Sequence, residues 1–446
     1  MNRLPLTNRP LDSVIAWRDR NQVTAGDFLA EATALAQRLP ASGHAINLCR
    51  DRYRFARAFA AALLAGQTNL LPGNRLDSTI RDLFSRYPDA YVLGDEAQDA
   101  HWPTSASARI GADDECSPLA EAPAIAADHL AAIVFTSGST GRPKAIDKPW
   151  YSYHDSSLIN AAEMDLARGP VRQLVATVPP QHMYGLETSV LIPWFAPVAA
   201  SRAQPFLPAD IARELADLPG PRILITTPAH LRALNDPSVE LPPVETIWSA
   251  TGPLDPAIAA AIEARHQTRV REIYGCSEMG SMARRNPVED DIWTLFKGFE
   301  MQAESDGTRA AAPHLPASCL LQDRIEFLGA GRFRVTGRLE DLVNVAGKRA
   351  SLAELNQALL RVPGVEDGVI FAPPARVDGR TERLAALVVA PGLDADRLRE
   401  QLRERIDEAF LPRPVRWVEC LPRAETGKLP RNAILEAFAA TTSRED

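Results

Sequence analysis

Cysteine is scarce: five residues, at 49, 116, 276, 319 and 420, are odd in number, far apart and never spaced as a CxxC pair. Neither a disulfide framework nor a zinc site follows from that spacing. Eight histidines are equally dispersed, with no H-x-x-x-H pair, so a built-in transition-metal centre is not expected. Surplus basic charge is also missing. A formal net charge of -8 argues against a protein that wraps nucleic acid, because neutralising phosphates needs an excess of Lys and Arg. Long apolar runs are absent as well: the most apolar early stretch, Phe55 to Gly66, is interrupted by Arg57 and is too short to span a bilayer. Met1 to Pro10 has no secretory apolar region, and a cytoplasmic location is expected.

What remains is an ordinary globular composition, 46% hydrophobic and 24% charged, over 446 residues. That length exceeds the roughly 250 to 300 residues at which one core stops growing, so at least two domains are expected. Helical spacing through Phe28, Leu35 and Leu39, and again from Phe55 to Leu64, alternates with short apolar runs at Ala45 to Leu48 and Asn69 to Leu71. Such alternation predicts an α/β sheet covered on both faces. Gly94 to Glu121 is polar and reads as a connector. The pattern resumes with strands at Ala131 to Phe135, Arg222 to Thr226 and Thr246 to Trp248 and a helix over Pro256 to His266. From Asp291 to Val335 short β-prone pieces separated by Gly and Pro predict a smaller β-rich subdomain. A compact α+β region follows, with helices near Ser351 to Leu360 and around Leu398, Leu402 and Ile406, and strands near Val369 to Phe371 and Ala385 to Val389. The expected division is residues 1–337 and 338–446.

The strand Ala131 to Phe135 runs into Thr136-Ser137-Gly138-Ser139-Thr140-Gly141-Arg142-Pro143-Lys144. Glycines let backbone N–H groups approach an anion, hydroxyls add donors and Lys144 adds charge, so this loop suits a phosphate. It is not a Walker motif, since Pro143 precedes the lysine and Ala145 follows it. The loop resembles the phosphate-binding signature of the adenylate-forming superfamily, which comprises acyl-CoA and aryl-CoA ligases, luciferases and nonribosomal-peptide adenylation domains. Four further segments match in order. Ser249-Ala-Thr-Gly252-Pro253-Leu254 resembles the turn lining the adenine pocket, and Tyr274-Gly275-Cys-Ser-Glu278 the segment whose aromatic stacks on adenine and whose glutamate holds magnesium on the triphosphate. Gly337-Arg338-Leu-Glu340-Asp341 resembles the inter-domain hinge, and Thr426-Gly-Lys428 the loop bearing the adenylation lysine.

This resemblance implies ATP and Mg²⁺ as cofactors, an N-terminal ATP- and acid-binding domain and a small mobile C-terminal domain turning at Glu340, where family members usually carry Asp or Lys. Asp323 stands where the ribose-binding aspartate belongs, although Leu-Gln replaces the usual Thr-Gly before it, and Arg338 would hold ribose or phosphate. Gly347 would let a pantetheine arm pass while Lys348 or Arg349 contacts its phosphates. The chemistry requires such cations: a carboxylate must be held against an anionic α-phosphate while charge moves to the pyrophosphate. Lys428, His182 and Glu278 are the implied catalytic residues.

Pro179-Pro-Gln-His182-Met-Tyr184-Gly185-Leu resembles the segment of acyl- and aryl-CoA ligases whose histidine lies beside the bound carboxylate. An aspartate for an α-ammonium group is not evident there, which disfavours amino acids. His182, Tyr184, Gly185 and Ser249 are the implied substrate contacts, and Glu187, two residues past Gly185, reads as an exposed helix-turn residue in preference to a pocket-facing acid. Trimmed spacing between motifs points to a small aryl or short to medium acyl acid. The acceptor is CoA or an acyl carrier protein, and Arg413, Arg416, Arg423, Lys428 and Arg431 form a basic stretch suited to either. Two alternatives stay open: a serine-type acyl hydrolase, from the near-elbow Gly275-Cys-Ser-Glu-Met-Gly280, and an inactive family member serving as a binding module.

Overall fold

The computed structural model describes residues 2–95, 102, 107–109, 119, 121–136, 144–338, 342–345, 348–373, 383–423 and 429–441. The chain forms two compact units: Met1–Met301 with Ala310–Cys319, and Gln302–Arg309 with Leu320–Asp446. The class is mixed α/β, a large N-terminal part followed by a small C-terminal one.

The larger unit is built on two sheets. One runs Lys144–Pro149, Leu130–Thr136, Thr68–Leu71, His44–Asn47, Tyr91–Gly94, Ser107–Arg109. All of its neighbours are parallel except the first pair. The other includes Gly280–Arg285, Arg269–Cys276, Thr246–Ser249, Arg222–Thr226, Arg172–Ala176, Val198–Ser201, Val14–Arg18 and Asn21–Thr24. Its centre is parallel, whereas Gly280–Arg285 and Asn21–Thr24 run antiparallel to Arg269–Cys276 and Val14–Arg18. Central strands such as Arg222–Thr226 are buried on both faces, which is why they read as continuous apolar runs rather than alternating ones.

Helices Ala25–Ala36 and Arg52–Leu64 cover these sheets, the first opened by a capping box in which Thr24 and Asp27 satisfy each other's backbone N–H. Phe28, Phe55, Phe59, Trp150, Tyr153 and Trp194 fill the core beneath them. Phe59 meets Tyr153 edge-on with ring centroids 6.1 Å apart. Rings of this size bury roughly 150–250 Å² each, so the few aromatics of the chain are concentrated where burial contributes most.

The smaller unit carries a hairpin, Asp323–Gly329 with Arg332–Arg338, and a three-stranded sheet of Asp367–Phe371, Ala385–Val389 and Val415–Trp417. Helices Leu352–Leu360 and Ala395–Arg403 pack Leu355, Leu359, Leu398 and Leu402 against Ile370, Ala386 and Val388. Ile406, read from sequence as part of the second helix, lies past its end. The helix Arg431–Ala440 covers the other face through Ile434 and Phe438, which meet Phe371 and Leu387.

Candidate active site

The hydroxyl-rich loop joins two strands rather than a strand and a helix. Leu130–Thr136 and Lys144–Pro149 are antiparallel, with Thr136 opposite Lys144 in register. Ser137, Gly138, Ser139, Thr140 and Gly141 lie outside the described residues. The ladder nevertheless fixes where the loop begins and ends.

Lys144 and Lys148 share one face of their strand, because strand side chains repeat every two residues. Both reach the same glutamate. The Lys144 ammonium donates to Glu278 Oε1 at 3.2 Å, and the Lys148 ammonium donates to the Glu278 backbone carbonyl at 2.7 Å. Two sequence motifs 134 positions apart therefore meet at one carboxylate. Lys144 is mostly exposed, so the ion pair adds little to stability and reports position instead.

Sequence context does not single out Lys148, yet it is 1% exposed. Burial pushes its ammonium below the ordinary range, while Glu187, Cys276, Glu278 and Cys319 push it back up. Glu187 corrects the reading of an exposed turn: it is buried on the helical turn Glu187–Leu191, accepting from the Ser281 backbone N–H at 2.9 Å and the Ser281 hydroxyl at 2.8 Å. Burial raises its carboxyl, and Ser281 and Lys148 draw it down. Sequence pattern places a charge on a helix face but does not reveal a distant lysine that must be neutralised. Removing one member of such a buried set leaves the other uncompensated, so Glu187→Ala is expected to destabilise the protein by about 3 kcal/mol in urea unfolding. An unchanged midpoint would show that Lys148 needs no such partner.

The segment Tyr274 to Glu278 leaves the strand Arg269–Cys276 and turns into Gly280–Arg285. Tyr274 is half-buried, its ring 5.5 Å from Trp293. An added Cβ at Gly275 would lie 2.0 Å from the Gly280 carbonyl oxygen, so only glycine fits there. This is a hairpin turn between antiparallel strands. The nucleophile elbow of a serine hydrolase needs a strand-to-helix turn, so the hydrolase reading fails on geometry.

Ser249 ends a parallel strand beside Thr226 and Glu272. Among the described residues its buried hydroxyl has no hydrogen-bond partner. Tyr184 donates to the carbonyl of Trp248 at 3.0 Å, which joins the Pro179–Gly185 segment to the strand that carries Ser249. Gly185 permits that segment to fold back, since a Cβ there would lie 2.0 Å from the Pro179 carbonyl oxygen. His182 occupies the position just before the helix Met183–Leu186, without a side-chain bond to its N–H groups, and is half-buried. The turn after Ser249 holds Thr251 at a φ of 80°, an outlier for a β-branched residue, and exposes Gly252 and Pro253. Glu272 anchors it from below, accepting from the Leu254 N–H at 3.1 Å and pairing with Arg285 at 2.6 Å. Strain held in place this way is common at ligand clamps.

In the smaller unit, Asp323 stands opposite Arg338 in the hairpin register. Leu342–Val345 and Lys348–Ser351 form a second hairpin that pairs Arg349 with Asn344. Lys348 is exposed and bonds Asp407 at 2.6 Å, which lowers the Asp407 carboxyl. Glu340, Gly347 and Lys428 lie outside the described residues. The basic stretch is partly spent on structure: Arg423 makes a two-point pair with Asp367 at 2.7 and 2.8 Å, Arg431 donates to the Ala372 carbonyl, and Arg416 bonds the Phe438 carbonyl.

A family model described as AMP-binding enzyme matches residues 52–297, and one described as its C-terminal domain matches 354–428. The chain belongs to the AMP-binding enzyme family. It is 31% identical over 302 residues to a 4-coumarate–CoA ligase of Rhodobacter capsulatus, covering 67% of this chain and 74% of that one. A 3,4-dihydroxybenzoate–[aryl-carrier protein] ligase of Bacillus anthracis is 22% identical, covering 71% and 76%. The o-succinylbenzoate CoA synthetase of Bacillus subtilis, solved with its acyl-adenylate, superposes at a TM-score of 0.79 with 17% identity and full coverage of both chains. This family member is an AMP-forming acid–thiol ligase: it adenylates a carboxylic acid with ATP and passes the acyl group to CoA or a carrier protein. No helix among the described residues is long and apolar enough to cross a membrane.

Proposed function

We propose that the acid is a small aromatic carboxylate, activated as its adenylate and then transferred to a thiol. The relatives named for 4-coumarate and 3,4-dihydroxybenzoate support an aromatic acid. The observation that supports the site assignment is the Lys144–Glu278 contact: a cation flanking the phosphate loop in sequence bonds the carboxylate proposed here for the metal. Glu278 suits a hard cation. Its carboxylate is half-buried and bonds Lys144, and oxygen donors are what Mg²⁺ takes. The ion would neutralise the pyrophosphate leaving group.

The chain's own residues do the rest. Ser137 to Gly141 and Lys144 hold the β- and γ-phosphates, Tyr274 and the Gly252-Pro253 turn hold adenine, and Asp323 and Arg338 hold ribose. His182, Tyr184, Gly185 and Ser249 line the acid site, with the Ser249 hydroxyl as an available donor. Lys428 places a carboxylate oxygen on the α-phosphorus; the P–O bond to pyrophosphate breaks as the acyl–AMP bond forms. After rotation about Glu340, the thiol enters past Gly347, with Lys348 and Arg349 on its phosphates, attacks the acyl carbon and expels AMP. Residues 1–337 and 338–446 are the two parts that move. Glu340→Pro is expected to slow thioester formation from preformed adenylate more than it weakens ATP binding, read by single-turnover and equilibrium binding; equal losses would show general damage.

The substrate class is tested by hydroxylamine trapping with ATP, Mg²⁺ and a panel of acids without any thiol. Benzoate- and cinnamate-type acids should give the most hydroxamate. Hydroxamate from straight-chain acids alone would refute the aromatic assignment.

A further inference from the structure

Cysteine spacing in the sequence offers no metal site, but folding brings two thiols together beside Glu278. Cys276, two residues before it, and Cys319, which opens the strand Cys319–Leu321, each place a sulfur so that both sulfurs and a Glu278 oxygen lie within 4.8 Å of one another. All three residues are half-buried and belong to the same compact unit. We propose that Cys276, Cys319 and Glu278 form a binding site for a soft divalent cation, with Zn²⁺ as the representative ion, and that its occupation blocks adenylation.

The geometry needs little change. Zinc–sulfur bonds of about 2.3 Å in a tetrahedron put sulfurs about 3.8 Å apart, so each donor moves by less than about 1 Å. Two thiolates and one carboxylate leave the fourth position open, as in zinc sites that exchange a ligand. Binding releases the two thiol protons to solvent. Charge also balances: the cation with two thiolates and a carboxylate carries one net negative charge, and buried Lys148, on which all three groups act electrostatically, carries one positive charge. Among the described residues, Glu187 acts on Lys148 and Lys144 pairs with Glu278 at this cluster. Thiolates prefer zinc over magnesium, whereas the carboxylate alone accepts either. The inhibition arm rests on the assignment of Glu278 to Mg²⁺; the binding arm does not.

The test uses the reduced full-length protein. Cobalt(II), a spectroscopic stand-in for zinc, should bind at one equivalent and give a thiolate-to-cobalt charge-transfer absorption. Cys319→Ser, with Cys319→Ala as a second variant, should weaken binding by about tenfold or more, since a ligand counts for at least what outer-shell support does. Without zinc the variants should match the parent in Mg²⁺-supported ATP–pyrophosphate exchange, and their half-inhibitory zinc concentration should rise by a similar factor. No charge-transfer band, or a band and zinc sensitivity unchanged in both variants, would overturn the site. A band lost in the variants without zinc inhibition in the parent would keep the site and instead contradict the role given to Glu278.

Discussion

Lys428→Ala is expected to lower acid-dependent ATP–pyrophosphate exchange by about 10²- to 10³-fold, the cost of removing one preorganised charge from a developing anionic centre. Its melting temperature should stay close to that of the parent. A carboxylate and an α-phosphate are both anionic, and their approach costs energy that water screens only before the site closes. A lysine shared between the two oxygens lowers that cost most at the transition state, where charge is passing to the leaving group, so the loss should appear in the rate of adenylation. ATP binding should change little, because in the proposed site Lys144 and the loop hydroxyls hold the other phosphates. Thioester formation from a supplied acyl-adenylate should also survive, since that step has no phosphorus to attack. Exchange at the parental rate would remove Lys428 from the mechanism.

Gly275→Ala is expected to reduce kcat/KM by about 10²-fold, the scale of loss for misplacing a catalytic group by about 1 Å. An alanine Cβ would sit 2.0 Å from the Gly280 carbonyl oxygen, a backbone atom that cannot swing aside. Gly280 cannot retreat either. It sits at a φ of 74°, and its own Cβ position is only 2.2 Å from a carboxylate oxygen of buried Glu187. The turn is thus clamped between its partner strand and Glu187, and the strain must pass to the neighbours of residue 275, Tyr274 on one side and the Cys276 to Glu278 run on the other. Both adenine stacking and metal placement should suffer, so KM for ATP should rise while kcat falls. Parental kinetics would show that the turn opens at no cost.

Much of this architecture is legible because α/β sheets write themselves plainly. Arg222 to Thr226 and the helix Pro256 to His266 appear where their apolar patterns put them, since a strand covered on both faces must be apolar throughout. The strands Val14–Arg18 and Asn21–Thr24 are not legible: they extend the large sheet beside Val198–Ser201, a distant partner in sequence that no local pattern names. The strand Lys144–Pro149 escapes notice for a related reason. Lys-Ala-Ile-Asp-Lys-Pro has little β propensity, and pairing with Leu130–Thr136 overrides it.

The site divides in the same way. Motifs with a fixed order announce Lys144, Tyr274, Gly275 and Glu278, and the fold joins the first to the last. Lys148, Glu187 and Glu272 are invisible or misread in the sequence, because a charged residue looks solvated until its distant partner is known. The pairing of Cys276 with Cys319 belongs to the same class of long-range fact. Arg416, Arg423 and Arg431, read as part of a basic stretch suited to an acceptor, each also bond a group inside the small unit, a second role that no local pattern names.

Attack of a carboxylate oxygen on the α-phosphorus of ATP underlies every step of adenylation. Its most direct measurement uses an aromatic acid carrying heavy oxygen in its carboxylate, turned over with ATP, Mg²⁺ and CoA or a carrier-protein thiol, followed by mass spectrometry of the nucleotide product. One heavy oxygen is expected in AMP, left there when the thiol displaces the adenylate. Label in inorganic phosphate with ADP as the nucleotide product, or AMP formed without label, would contradict the account.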